Sequence, residues 1–289
     1  MKKLIALLLA LVLAFALVAC GEPAAPAEPA EPAETAEPAE TAEAAPAETT
    51  EPAAPARKFI MGIDAEYPPF SYMDKNGNYG GFDVEICEAA CEKLGWEFEI
   101  FGVNWDQKLV QLDAGECDCV WSGMTILDSM KESGYVISEP YYDNTQVILV
   151  KADSGIATSA DLAGKDVAVQ LGTSGEALLQ DDLADFDATF GNLITCDSFL
   201  KCFTELDGGA VDAVFVDMPV AKSYAAEHEG YTIIDEGMGA EQYGIAFRTD
   251  DAETCAAIEG AVAELVADGT YAEIAANYPD IVNNLLFLQ

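Results

Sequence analysis

From residue 58 onward the apolar positions keep switching between a period of two and a period near 3.6. Lys58-Phe-Ile-Met-Gly-Ile63 reads as a strand. Val84, Cys87, Cys91 and Leu94 recur at helical spacing, which predicts an amphipathic helix over 83–94 stopped by Gly95. A strand is expected over 97–101, a helix over 105–114, and a strand over 117–121. After Pro140 comes the longer apolar run 145–150. The pattern then restarts: helix 159–163, strand 166–171, helix 174–183, helix 198–206, strand 213–216, helix 220–228. Strands 231–235 and 243–247 follow, with closing helices over 251–268 and 270–277. Repeated β-α units imply parallel sheets flanked by helices, whose ligands sit beyond the carboxyl ends of the strands.

The first 57 residues belong to a different regime. Met1-Lys2-Lys3 and the apolar run 4–19 have the form of a secretory signal peptide. The run is shorter than the roughly 20 residues a membrane helix needs. It ends Leu17-Val18-Ala19-Cys20, which resembles a bacterial lipobox, so Cys20 is expected to be the lipidated first residue of the mature protein. Residues 20–57 are rich in Pro, Ala and Glu, a composition that buries no core and stays extended. They read as a tether holding a folded body off the outer face of the cytoplasmic membrane.

Charge narrows the function. The chain carries 52 Asp and Glu against 13 Lys and Arg, a net charge of −39 over 289 residues. Such a surface repels a phosphate backbone, so nucleic-acid binding is excluded. A single histidine removes most imidazole catalysis and His-containing metal sites. Neither cofactor nor metal is expected. Beyond Cys20 stand seven cysteines, at 87, 91, 117, 119, 196, 202 and 255. Most fall on apolar helix or strand faces and read as small buried hydrophobes. Cys196 with Cys202 is the one pair whose spacing invites a disulfide test.

Gly62-Ile-Asp-Ala-Glu-Tyr-Pro-Pro-Phe70, then Gly81-Phe-Asp-Val-Glu85, resembles the opening of the family 3 solute-binding proteins of amino-acid ABC transporters. Ser122-Gly-Met-Thr-Ile126, Ser138-Glu-Pro-Tyr141, Leu162-Ala-Gly-Lys-Asp166 with Gly172-Thr173, Val211–Asp217 and Asp268-Gly-Thr-Tyr271 follow in the family's order. The resemblance implies a two-lobed periplasmic-binding-protein-like α/β fold, each lobe a sheet flanked by helices, joined by two hinge strands. The lobes are expected at 58–147 plus 244–289, and at 148–243. It implies a monomeric, non-enzymatic receptor that captures an amino acid or close derivative and delivers it to an ABC permease. A small dehydratase on the same fold and a ligand sensor are the alternatives; no membrane helix or kinase-like segment is read after residue 289.

Candidate ligand-binding residues follow from the same motifs. The resemblance makes Asp64 a polar contact and Tyr67 and Trp105 aromatic walls. Gly123 and Thr125 follow a strand, where exposed backbone and a hydroxyl can receive a carboxylate. Thr173 and Ser174 open a helix whose N–H groups suit an anion, and Thr173 with Glu176 has capping-box spacing. Asp217 matches the acid that pairs with a ligand ammonium in the family. The departure is the family's arginine, five residues after the Thr matched by Thr125. Counting forward reaches Met130, and counting back from Pro140 reaches Lys131. Lys131 offers a point charge without arginine's bidentate fork.

Overall fold

The computed structural model describes residues 56–289. The expected signal peptide over 1–19, Cys20 and all of the tether before residue 56 lie outside them. Strand β1 (Lys58–Ile63) leads through three short strands, β2 (Glu66–Tyr67), β3 (Ser71–Met73) and β4 (Tyr79–Gly80), into helix α1 (Phe82–Leu94). β5 (Glu97–Gly102), α2 (Lys108–Asp113), β6 (Cys119–Thr125), α3 (Asp128–Glu132) and β7 (Val136–Ile137) follow. The long β8 (Tyr142–Lys151) crosses to β9 (Asp166–Gln170), α4 (Ser174–Gln180), α5 (Ala184–Asp187) and β10 (Asn192–Cys196). Next come α6 (Phe199–Gly208), β11 (Ala213–Asp217) and α7 (Met218–Glu227). β12 (Tyr231–Phe247) crosses back to α8 (Ala252–Asp268) and α9 (Thr270–Ala275).

The main sheet runs β10-β9-β11-β8-β12-β6-β1-β5, with β7 on β12. β1 is parallel to β5 and β6, and β9 is parallel to β10 and β11. Between these two parallel sets lie β8 and β12, antiparallel to each other and to the strands they meet. Each parallel set carries its own helices, which gives two lobes joined by two crossing strands. In the first lobe, α1 buries Val84, Ile86, Cys87, Ala90 and Cys91. These pack into one core with Cys255, Ile258, Val262 and Leu265 of α8. Gly95 ends α1 at φ 66, its N–H donating to Cys91 and Glu92. All seven described cysteines are buried free thiols, Cys196 and Cys202 included.

Several elements differ from the sequence expectation for physical reasons. Strands 231–235 and 243–247 are the ends of one continuous 17-residue strand. Gly237 and Gly239, with φ 68 and 60, disturb the alternation in between, and the ladder to β8 shifts register there. The helix expected over 174–183 stops at Gln180. Asp181 and Asp182 bring negative charge to the negative end of its dipole. β6 begins at Cys119, and Cys117 is buried just before it. Arg248 occupies that approach, donating to the Cys117 carbonyl at 2.6 Å and pairing with Asp118 at 3.1 Å. β10 and the three short strands β2 to β4 carry too few residues for a period to be read.

Candidate functional site

The carboxyl ends of β1, β6, β9 and β11 converge on one small cavity of about 30 Å³. Tyr67, Trp105, Gly123 and Thr125 line it from the first lobe, and Thr173, Ser174 and Asp217 from the second. Seven of the nine sequence candidates therefore stand around one space. About 30 Å³ holds at most about two waters. A ligand of amino-acid size enters only when the lobes part.

Asp64, just past β1, is buried under the second lobe. Its Oδ2 accepts from Gln170 Nε2 at 2.7 Å and its Oδ1 from the Glu66 N–H at 2.8 Å. Burial raises its pKa in spite of these donors. The Tyr67 and Tyr243 hydroxyls share a hydrogen bond of 2.7 Å. Gly123 has φ +53, and a Cβ there would lie 2.3 Å from Tyr67 Cε1, so only glycine fits against that ring. Its N–H donates to Asp83 Oδ2 at 2.8 Å, and the Tyr141 hydroxyl donates to the same oxygen at 2.7 Å. Asp83, fully buried and pushed up to about 7 by desolvation, thus holds the turn that shapes the cleft.

Away from the hinge strands, three side-chain hydrogen bonds join the lobes among the described residues. Thr125 Oγ1 donates to Ser174 Oγ at 3.0 Å, Gln170 covers Asp64, and Lys108 Nζ donates to the Gly172 carbonyl at 2.7 Å. Thr173 caps α4, its Oγ1 accepting from the Glu176 N–H at 3.2 Å. Glu176 returns the capping contact by accepting from the Gly172 N–H at 2.7 Å. The chain's own carboxylate therefore already occupies part of the N–H cluster that the sequence offers to an anion.

Of the two residues reached by counting to the arginine position, only Met130 faces the cavity. Met130 is buried and lines the cavity, whereas Lys131 is exposed on the far side of the short helix α3 and does not reach it. The cation at the cleft is Lys108, which lines the cavity and lies 4.7 Å over the Trp105 ring. Burial lowers its pKa to about 8, while Asp106, Asp64 and Glu176 pull the other way. Both arginines are engaged elsewhere: Arg57 over Trp96 at 4.4 Å, Arg248 with Asp118 and Asp251. Lys108 was legible as one turn beyond Trp105 on a predicted helix, but nothing in that spacing says which face meets the second lobe.

Asp217 closes the floor of the cleft at the end of β11. Its Oδ1 accepts from Asn144 Nδ2 at 2.6 Å, Gln146 Nε2 at 2.8 Å and the Tyr243 hydroxyl at 3.0 Å. Burial, with Glu241 beside it, pushes it up to about 8. Asn144, Gln146, Tyr243 and Glu241 were not among the candidates. They lie on the crossing strands, where apolar alternation signals core rather than site.

A cleft between two parallel-stranded lobes, floored by crossing strands and lined by aromatic rings, buried acids and one amine, belongs to a two-lobed binding protein for a small charged solute. The chain is a member of the bacterial extracellular solute-binding proteins, family 3, whose profile matches residues 59–280. It is 30% identical over 227 residues to the ABC transporter arginine-binding protein 1 of Escherichia coli K12, covering 77% of this chain and 90% of that one. An ABC uptake transporter substrate-binding protein from Streptococcus pneumoniae with bound histidine superposes with a TM-score of 0.73 at 27% identity, covering 76% of this chain and 91% of that one. An ancestral amino acid-binding protein described as a precursor of cyclohexadienyl dehydratase superposes with a TM-score of 0.69 at 33% identity, covering 76% of this chain and 94% of that one.

Proposed function

We propose that this protein is an extracytoplasmic receptor that captures an amino acid or close derivative between its lobes and delivers it to an ABC permease. The observation that carries the reading is the polarity of the cleft. Buried Asp217 lies on the floor, and the Lys108 amine lies at the interlobe contact, with Tyr67 and Trp105 lining the same cavity. An ammonium suits the acid and the aromatic faces, and a carboxylate suits Lys108, which takes over the part of the family's arginine. Asp64, Gly123, Thr125, Thr173 and Ser174 complete the ligand shell. The lobes are taken as 58–147 plus 244–289 and 148–243, with β8 and β12 as the hinge strands.

The protein is read as a monomer, anchored through lipid on Cys20 to the outer face of the cytoplasmic membrane. Cys20→Ala should move it from the membrane to the medium, and retention of that variant in the membrane would refute the anchor. A dehydratase is the second reading, favoured only by the likeness to the ancestral precursor. A thermal-shift panel of amino acids, amines, sugars and inorganic anions tests both. A ligand at 100 times its dissociation constant stabilises by about 2.7 kcal/mol. Stabilisation by sugars or inorganic anions alone would overturn the amino-acid reading, and turnover of the stabilising compound would replace receptor by enzyme.

A further inference from the structure

Three adjacent strands bring two acids and two amides together on the floor of the cleft. Asp217 on β11 is in register with Gln146 on β8, and Asn144 on β8 with Glu241 on β12. Asn144 Nδ2 donates to Asp217 Oδ1 at 2.6 Å and to Glu241 Oε1 at 2.7 Å. Gln146 Nε2 donates to the same two oxygens at 2.8 and 2.9 Å. Both protons of each amide nitrogen therefore bridge the two carboxyl groups. Amide dipoles do not cancel the charges of buried Asp217 and half-buried Glu241, and a carboxylate beside another resists ionising.

No cation compensates them. Among the described residues neither Asp217 nor Glu241 forms an ion pair. The other titratable groups facing Asp217 are tyrosines: Tyr243 on β12, Tyr67 on β2 and Tyr142 on β8. In the same cluster Asn144 Oδ1 and Gln146 Oε1 are buried acceptors with no donor. The site is rich in oxygen acceptors and lacks a positive charge. Desolvation and the neighbouring Glu241 charge hold Asp217 far above the ordinary carboxylate range.

We propose that Glu241 is a specificity residue of this cleft: its carboxylate, bridged to Asp217 through Asn144 and Gln146, keeps Asp217 protonated in the free protein, and Asp217 releases that proton to solvent when a ligand ammonium takes its place. The inference rests on the amino-acid receptor reading and adds to it a proton exchange and a second acid selecting for cationic ligands. The balance is simple: the ammonium keeps its own protons, the Asp217 carboxyl proton leaves to buffer, and Asp217 is ionised beside the new positive charge. A solute without a cationic group cannot drive that exchange.

The test uses L-arginine as probe and calorimetric titration near pH 6.5 in two buffers of different ionisation enthalpy. The wild-type protein should release about one proton per L-arginine bound. Its dissociation constant should tighten about tenfold per pH unit from pH 6 to pH 8, where the release ends. Glu241→Gln loses the neighbouring charge but keeps the burial of Asp217, so it should release fewer protons at pH 6.5 and its dissociation constant should stop tightening at a lower pH than in the wild-type protein. Binding by the wild-type protein without proton release would overturn the proposal and leave the receptor reading intact. If L-arginine does not bind, the free protein decides. Urea unfolding should show wild-type stability falling with pH more steeply than that of Glu241→Gln between pH 5 and 8, because folded Asp217 keeps a proton that the unfolded chain has lost. Parallel stability curves for the two proteins would refute it.

Discussion

Replacing Gly172 by alanine adds one carbon where the lobes touch. Gly172 has φ +73, and a Cβ there would lie 2.7 Å from Asp106 Cα, a backbone atom of the opposite lobe that has no rotamer in which to yield. Two effects follow. The left-handed conformation costs a non-glycine residue about 1–2 kcal/mol, which for a body of this size lowers Tm by about 2–8 °C. The steric block also separates Lys108 Nζ from the Gly172 carbonyl, now 2.7 Å apart. A hydrogen bond to a charged donor contributes about 1.5–3 kcal/mol, so ligand affinity should fall about 10- to 150-fold. Gly155→Ala separates the two effects. Gly155 has φ +77 with nothing within 4 Å of the added carbon, so it should lose a similar Tm and no affinity. Calorimetric titration with the stabilising ligand, and small-angle scattering with and without it, read both quantities. An unchanged dissociation constant and full compaction on binding in Gly172→Ala would refute the interlobe contact as a closure determinant.

Asp217→Asn removes the charge that faces a ligand ammonium while preserving the shape of the floor, and should weaken binding of the stabilising amino acid by about 10- to 150-fold in calorimetry. Lys108→Met should weaken carboxylate-bearing ligands to a similar degree and leave their decarboxylated amines little affected, whereas Lys131→Met should change neither. Asp83 has a folded pKa near 7, well above its unfolded value, so its contribution to stability is complete in acid and is lost as pH rises from about 4 to 7. Urea unfolding of Asp83→Asn should therefore show a shallower fall of stability across that window than the wild-type protein. The seven buried thiols should react slowly with Ellman's reagent in the native body and fully after denaturation, and rapid native labelling would contradict their burial.

What local sequence determined here is what short-range physics decides. Alternation over 58–63 and helical spacing over 83–94 each bury one face, so strand and helix could be read without a partner. The order of the motifs from Gly62 to Tyr271 carried the two-lobed fold; Thr125 and Asp217 were legible because each ends a strand at the edge where β-α units leave a cleft, and Tyr67 and Gly123 because they stand in those motifs. The tertiary structure decided the rest because it depends on which surfaces meet. Whether Met130 or Lys131 turns inward is set by the orientation of a five-residue helix against the sheet. Lys108 becomes a cleft residue only because the Gly172 turn, 64 positions away, closes over it. Asp217 and Glu241 face each other only because β8 lies between β11 and β12 in the sheet. Pairing across strands is set by register and hinge geometry, and these arise from long-range packing that no local period encodes.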